Sequence, residues 1–286
     1  MKKESSLRRL AFLLFPLFCW LLWSDAAWAE RLIFGVVPQQ SAAELAKGWA
    51  PLLAALSARC GDELVFETAT DIPTFERRLA AGEYDLAYMN PYHYVVFHQA
   101  VGYEALAKGK GAKLQGILVT RKDGPIQMLE QLQGQRVAFP APAAFAATIL
   151  PLASLKEKRI DAEPVFVGSH DSVYLGVARG FFPAGGGIRR TFEGMSPEIR
   201  DALRVFWTTP EYTSHAIAAH QRVPVALRAR IQEALVAADS SPEGRELLAK
   251  AHFKGFEAGQ DADWNDIRVL GVTVLDEVVK SVGKER

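Results

Sequence analysis

The chain has 286 residues, with 33 Lys/Arg against 33 Asp/Glu, 49% hydrophobic residues and two cysteines. The charge balance argues against a nucleic-acid or membrane-surface partner. Two cysteines exclude a disulfide-stapled scaffold and a multi-cysteine metal site, while the hydrophobic content suffices for one large domain or two of ~100–150 residues.

Lys2, Lys3, Arg8 and Arg9 precede an apolar run from Leu10 to Trp23, and Ala27-Trp28-Ala29 sets small residues before Glu30. That is the layout of a secretory signal peptide over residues 1–29, cleaved after Ala29. The run is shorter than the ~20 apolar residues of a comfortable membrane span. Cys19 lies between Phe18 and Trp20, unlike a lipoprotein site. The leader holds four of the 33 basic and two of the 33 acidic residues, so the mature chain carries 29 and 31. A periplasmic address is expected, with Cys60 the one thiol left and no internal disulfide.

Leu32 to Val37 is an apolar run of strand length, followed by Pro38-Gln39-Gln40-Ser41 and a helix. Leu45, Trp49, Leu52, Leu53 and Leu56 form that helix's apolar face, and Gly61 ends it. Leu64 to Glu67 is a second strand. Asp71 opens a short helix with Phe75 and Leu79 inward, closed by Gly82, and Tyr84 to Tyr88 is a third strand. The alternation predicts a parallel sheet with helical crossovers. Asp85 to Tyr94 is the stretch with most chemistry. A buried strand end meets a helix at once, with Asn90 as N-cap and Pro91 at the first helical position. Ligands of open α/β sheets sit at such strand ends, where the helix offers free N–H groups. Tyr88, Asn90, Tyr92 and His93 are therefore expected at a ligand cleft, against the alternative of an ordinary core junction.

Gln115 to Thr120 reads as a strand, and a second α/β unit begins after Arg121-Lys122-Asp123-Gly124-Pro125. It holds a strand at Arg136–Phe139, a helix from Ala143 to Lys158, a strand at Glu163–Val167, and a helix after Gly168-Ser169-His170-Asp171. Gly185-Gly186-Gly187 is expected as a flexible or tightly packed turn, Arg189 and Arg190 as a solvated strand face against the alternative of pairing with an acidic ligand, and Leu203 to Thr208 as a late strand. Helices then open at Pro224, Ser241-Pro242 and Asp261. His93 and His98 are five apart and lack a HExxH pattern, so no metal and no cofactor is expected. Gly168-Ser169-His170 lacks the second glycine of a nucleophile elbow, so an enzyme is not expected. Cys60 reads as a small buried hydrophobe.

Several pieces, in order and spacing, resemble the ABC-transporter periplasmic substrate-binding proteins for phosphate, phosphite and phosphonate. They are Phe34-Gly35-Val36, Trp49-Ala50-Pro51-Leu52-Leu53, Gly82 to Tyr88, Arg121-Lys122-Asp123, Leu132-x-Gly134-x-x-Val137-Ala138-Phe139 and Gly168 to Asp171. The resemblance covers nearly the whole mature chain. It implies an α/β, two-lobed type II periplasmic-binding fold with a ligand cleft between the lobes. One lobe would comprise residues 30–115 and about 209–286 with a helical tail. The other would comprise 116–208, with crossing strands near 116–120 and 205–208. It further implies capture of a small, anionic, phosphate- or phosphonate-like solute for an ABC-type permease, by a monomer. A sensor kinase-type receptor as the membrane partner, or a ligand-free structural role, is the alternative reading.

By family position Gln39 and Gln40 lie after the first strand at the cleft, Ser169 caps a helix or touches ligand, and His170 meets ligand as a donor. The family's anion site resembles a Ser-Thr-Ser-Gly turn. The matching positions here are Ala144, Phe145, Ala146 and Ala147, with Thr148 the one nearby hydroxyl. The position of the acidic residue that aminophosphonate binders carry falls at Pro183. Each missing charge-assisted hydrogen bond is worth roughly 1.5–3 kcal/mol. Phe145 would then stack on an organic ligand or fill the space the ligand leaves.

Overall fold

The structure, a computed structural model, describes residues 30–285; the expected leader over 1–29 lies outside the described residues. From Arg31 on, the chain forms one compact unit built on two sheets. β1 (Arg31–Val36), α1 (Ala42–Cys60), β2 (Glu63–Thr68), α2 (Ile72–Ala81), β3 (Leu86–Met89), α3 (Pro91–Val101) and β4 (Tyr103–Gly109) come first. β1 pairs in parallel with β2 and β3, as the alternation predicts. α1 buries Leu45, Trp49, Leu52, Leu53 and Leu56, is capped by the Ser41 hydroxyl, and ends at left-handed Gly61 (φ 82°), a conformation that glycine adopts without strain.

The second unit holds β5 (Lys113–Arg121), β6 (Arg136–Phe139), α4 (Leu150–Glu157), β7 (Glu163–Phe166), α5 (His170–Ala178), β8 (Ala184–Ile188), α6 (Arg189–Glu193), α7 (Pro197–Ala202) and β9 (Leu203–Thr213). The chain then returns through β10 (Ala216–His220), α8 (Val225–Val236), α9 (Pro242–Lys250), β11 (Phe256–Ala258), α10 (Asn265–Arg268) and α11 (Asp276–Glu285). The six-stranded sheet has the order β11-β4-β10-β3-β1-β2 and the five-stranded sheet β7-β6-β8-β5-β9. Each sheet with its helices is one lobe. Residues 116–120 and 205–208 run inside β5 and β9, which pair antiparallel from Lys113↔Thr213 to Arg121↔Leu203. The change of sheet falls at the near ends of those strands, between Gly109 and Lys113 and between Thr213 and Ala216.

Three expectations are corrected. Gly185 to Gly187 is a buried strand, not a turn, because neighbours occupy the space where side chains would stand. A Cβ on Gly186 would lie 2.1 Å from the Ala147 carbonyl oxygen, and one on Gly187 2.0 Å from the Tyr174 hydroxyl. The helix expected over 143–158 is interrupted: Phe145–Ile149 forms one wide turn before α4. Arg189 and Arg190 open α6 and not a strand face; Arg189 is exposed, as expected, and Arg190 is half-buried. β4, β10, β11 and the last helix α11 lie outside the expected elements, although α11 is amphipathic, with Val278, Val279 and Val282 packed against the first lobe's core. No helix among the described residues is long and apolar enough to cross a membrane.

Candidate functional site

The junction of β3 and α3 forms as expected, and Asn90 does two jobs there. Its Oδ1 accepts from the His93 N–H at 2.8 Å, capping α3, and its Nδ2 donates to the Ala143 carbonyl of the other lobe at 3.1 Å. Tyr92 and His93 are carried around the helix and away from the cleft. The Tyr92 hydroxyl accepts from the Leu275 N–H at 2.9 Å, and His93 Nε2 lies 3.0 Å from Glu76 Oε1. With the cap at the cleft, Tyr92 turns towards the C-terminal segment and His93 towards α2.

Tyr88 remains at the cleft. Its ring stacks on His215 (centroids 5.0 Å apart, 15° between planes), and the Arg190 guanidinium lies 5.5 Å above it. Burial raises the Tyr88 phenol above its ordinary range. Gln39 bridges the same group: its Oε1 accepts from Arg190 Nη2 at 2.6 Å and its Nε2 lies 3.0 Å from His215 Nε2. With Oε1 taken by Arg190, the Gln39 amide donates to His215, which fixes the His215 proton on Nδ1. Burial, and after it the charge of Arg190, holds His215 well below the usual histidine range. His170 is 1% exposed; its N–H donates to the Gln39 carbonyl at 3.0 Å, and its Nδ1 lies 3.1 Å from the Thr191 hydroxyl. Burial, then Arg190, pushes His170 down to about 3. Both histidines are therefore neutral, and Arg190 is the cation of this cluster.

The remaining expected residues separate. The Ser169 hydroxyl accepts from the Ser172 N–H at 3.1 Å and caps α5. Gln40 is half-buried over a surface hollow shared with Leu45, Trp49 and His252. Thr148 is buried, and its hydroxyl has no partner among the described residues. Phe145 is 1% exposed, meets Tyr212 edge-on at 5.4 Å, and joins the apolar cluster of the first lobe together with its alanine neighbours. Gly116 permits this approach: a Cβ there would lie 2.0 Å from the Ala146 carbonyl oxygen.

Between Gln39, Asn90, His170 and the Ala144–Ala147 turn only about 10 Å³ remains, about the space that admits one water molecule. A cavity of about 360 Å³ lies on the other side of Leu114, Ile188 and His215. It reaches Tyr88, Arg190 and Phe253, and the lysines Lys113 and Lys254 line it as well. Arg190 also lies 5.5 Å over the Phe253 ring, and no carboxylate pairs with it among the described residues. Sequence reasoning missed His215, Phe253 and the two lysines, which carry no motif. Arg190 had a usable signal: it follows the carboxyl end of β8, which pairs in parallel with β6.

Residues 34–264 match the profile of the family "ABC transporter, phosphonate, periplasmic substrate-binding protein". The phosphate-import protein PhnD of Mycolicibacterium smegmatis is 27% identical over 174 residues, covering 54% of this chain and 54% of that protein. The chain thus matches about half the length of this curated relative. Among solved structures, PhnD1 of Prochlorococcus marinus in complex with methylphosphonate superimposes with a TM-score of 0.76 at 18% identity, covering 85% of this chain and 97% of that one. A binding-protein component of an ABC phosphonate transporter from Pseudomonas aeruginosa gives 0.79 at 17% identity, over 90% and 98%. These two share the two-lobed fold, and the profile match over most of the chain places the protein in the phosphonate periplasmic substrate-binding family of ABC transporters.

Proposed function

We propose that the mature chain captures a phosphate- or phosphonate-type anion in the periplasm and presents it to an ABC-type permease, as a monomer and without turnover. Arg190 carries the reading: it is a half-buried cation between the lobes with no carboxylate partner among the described residues. A charge held so, beside two neutral histidines and an amide, is matched by an anionic ligand. The bound methylphosphonate of the Prochlorococcus marinus protein and the phosphate import of the Mycolicibacterium smegmatis protein support the ligand class. Residues 1–29 would be removed on export. The lobes, with boundaries near 109–113 and 213–216, would close by bending at those two segments.

Thermal unfolding of residues 30–286 against phosphate, phosphite, methylphosphonate, phenylphosphonate, sulfonates and carboxylates tests this. A true ligand at 100 times its Kd adds about 2.7 kcal/mol, raising Tm by about 5–10 °C. The shift is expected with a phosphorus oxyanion or its organic derivative and is lost in Arg190→Gln. No shift with any phosphorus anion would refute it.

A further inference from the structure

We infer that the solute is a phosphonate- or phosphate-type dianion carrying a ring-sized apolar substituent, bound in the 360 Å³ cavity beside Arg190 and not at the Ala144–Ala147 turn. This rests on the proposed anion-binding function and names the ligand and its place.

Space decides first. The remnant at the turn, about 10 Å³, holds no oxyanion, and Phe145 fills it as part of a packed cluster. A 360 Å³ cavity falls within the ~300–1,000 Å³ range of small-molecule sites. Inorganic phosphate or methylphosphonate would leave most of it to water, so a larger group is needed to fill it.

Charge decides the ligand's head. Lys113, Arg189, Arg190 and Lys254 line the cavity, and none of them forms an ion pair among the described residues. Lys110 also lines it but is held by Asp239 at 2.7 Å. Against the four stand Glu193 and Glu211, which leaves two positive charges for a dianion. Ser214 lines the cavity too, and its buried hydroxyl has no partner among the described residues, leaving a donor to spare. Phe253, half-buried, is the ring a flat substituent can pack against, with Tyr88, Leu114 and Ile188 buried in the apolar wall behind it. The cavity is bounded by both segments where the chain changes sheet, with α6 on the second lobe and the chain before β11 on the first. An anion there links Arg190 of one lobe to Lys254 of the other, so binding and closure are coupled.

Calorimetric titration of residues 30–286 with phenylphosphonate, methylphosphonate and inorganic phosphate is the test. Wild type is expected to bind phenylphosphonate at least tenfold tighter than the other two. The double variant Lys113→Gln/Lys254→Gln, at two exposed positions, is expected to weaken it tenfold or more with an unchanged melting curve. Glu211→Gln is expected to tighten it severalfold. Methylphosphonate or phosphate bound as tightly as phenylphosphonate, or binding indifferent to the lysine pair, would overturn the inference while leaving anion capture intact. Binding of none of the three would overturn this inference, and silence across the wider anion panel would remove the proposed function with it.

Discussion

Burial, and after it the charge of Arg190, keeps His170 neutral, and stability should depend on pH accordingly. The folded state holds His170 at about 3, below the ordinary 6.5, so folding favours its neutral form. The unfolded chain binds the extra proton between those values. This contribution to stability is complete above pH 6.5 and is lost as pH falls from 6.5 towards 3. His215 shifts in the same direction, with burial the first cause and Arg190 the second for both. Urea unfolding at pH 7.5 and 5.0 should show His170→Asn losing less stability than wild type, by up to about 2 kcal/mol. Equal losses would show that His170 takes no part. The resemblance located His170 at the cleft, but its bond to Thr191 depends on a residue 21 positions away on a different helix.

At the level of elements, the wide turn Phe145–Ile149 and the glycine strand β8 depend on each other. The Ala147 carbonyl sits where a Gly186 side chain would be, and the Ala146 carbonyl where one on Gly116 would be. Gly186→Ala should cost about 1–3 kcal/mol by overpacking, read as a fall in Tm, since the clashing atom is backbone and cannot swing aside. Phe145→Ala should cost about 3–5 kcal/mol, as expected for an aromatic ring removed from a packed cluster. A neutral result for Phe145→Ala would mean that the ring is a loose lid. Asn90→Ala removes a cap worth about 0.5–2 kcal/mol, and with it the bond to Ala143. Caps such as Asn90 and Ser169 were legible because each acts within three residues. The strand character of Gly185 to Gly187 was not, because three glycines carry no hydrophobic period and only their neighbours explain them.

For the whole molecule, the state described is one in which the lobes are tied together. Asn90 donates to Ala143, Arg190 to Gln39, the His170 N–H to the Gln39 carbonyl, and the Ser41 N–H to Asp171 Oδ2 at 3.2 Å. Gln39→Ala/Arg190→Ala removes the tie between the Gln39 and Arg190 side chains and should open the lobes in the absence of ligand, increasing the radius of gyration by small-angle scattering. An unchanged radius would mean that the remaining hydrogen bonds and the packing of the Phe145 turn suffice for closure.

Legible in the chain's own order of residues were the strands and helices from β1 to α3, the buried faces of α1 and α2, the Asn90 cap, the family, and the absence of hydroxyls at the anion turn. All of these are read from neighbouring residues or from order along the chain. Only the tertiary structure decided that Phe145 fills the inner cleft, that Tyr92 and His93 turn away from it, and that Arg190 lies over Tyr88 and Phe253. These placements depend on contacts between segments up to a hundred or more residues apart: Gly116 and Gly186 leave room for the Phe145 turn within the second lobe, and that turn packs against the core of the first.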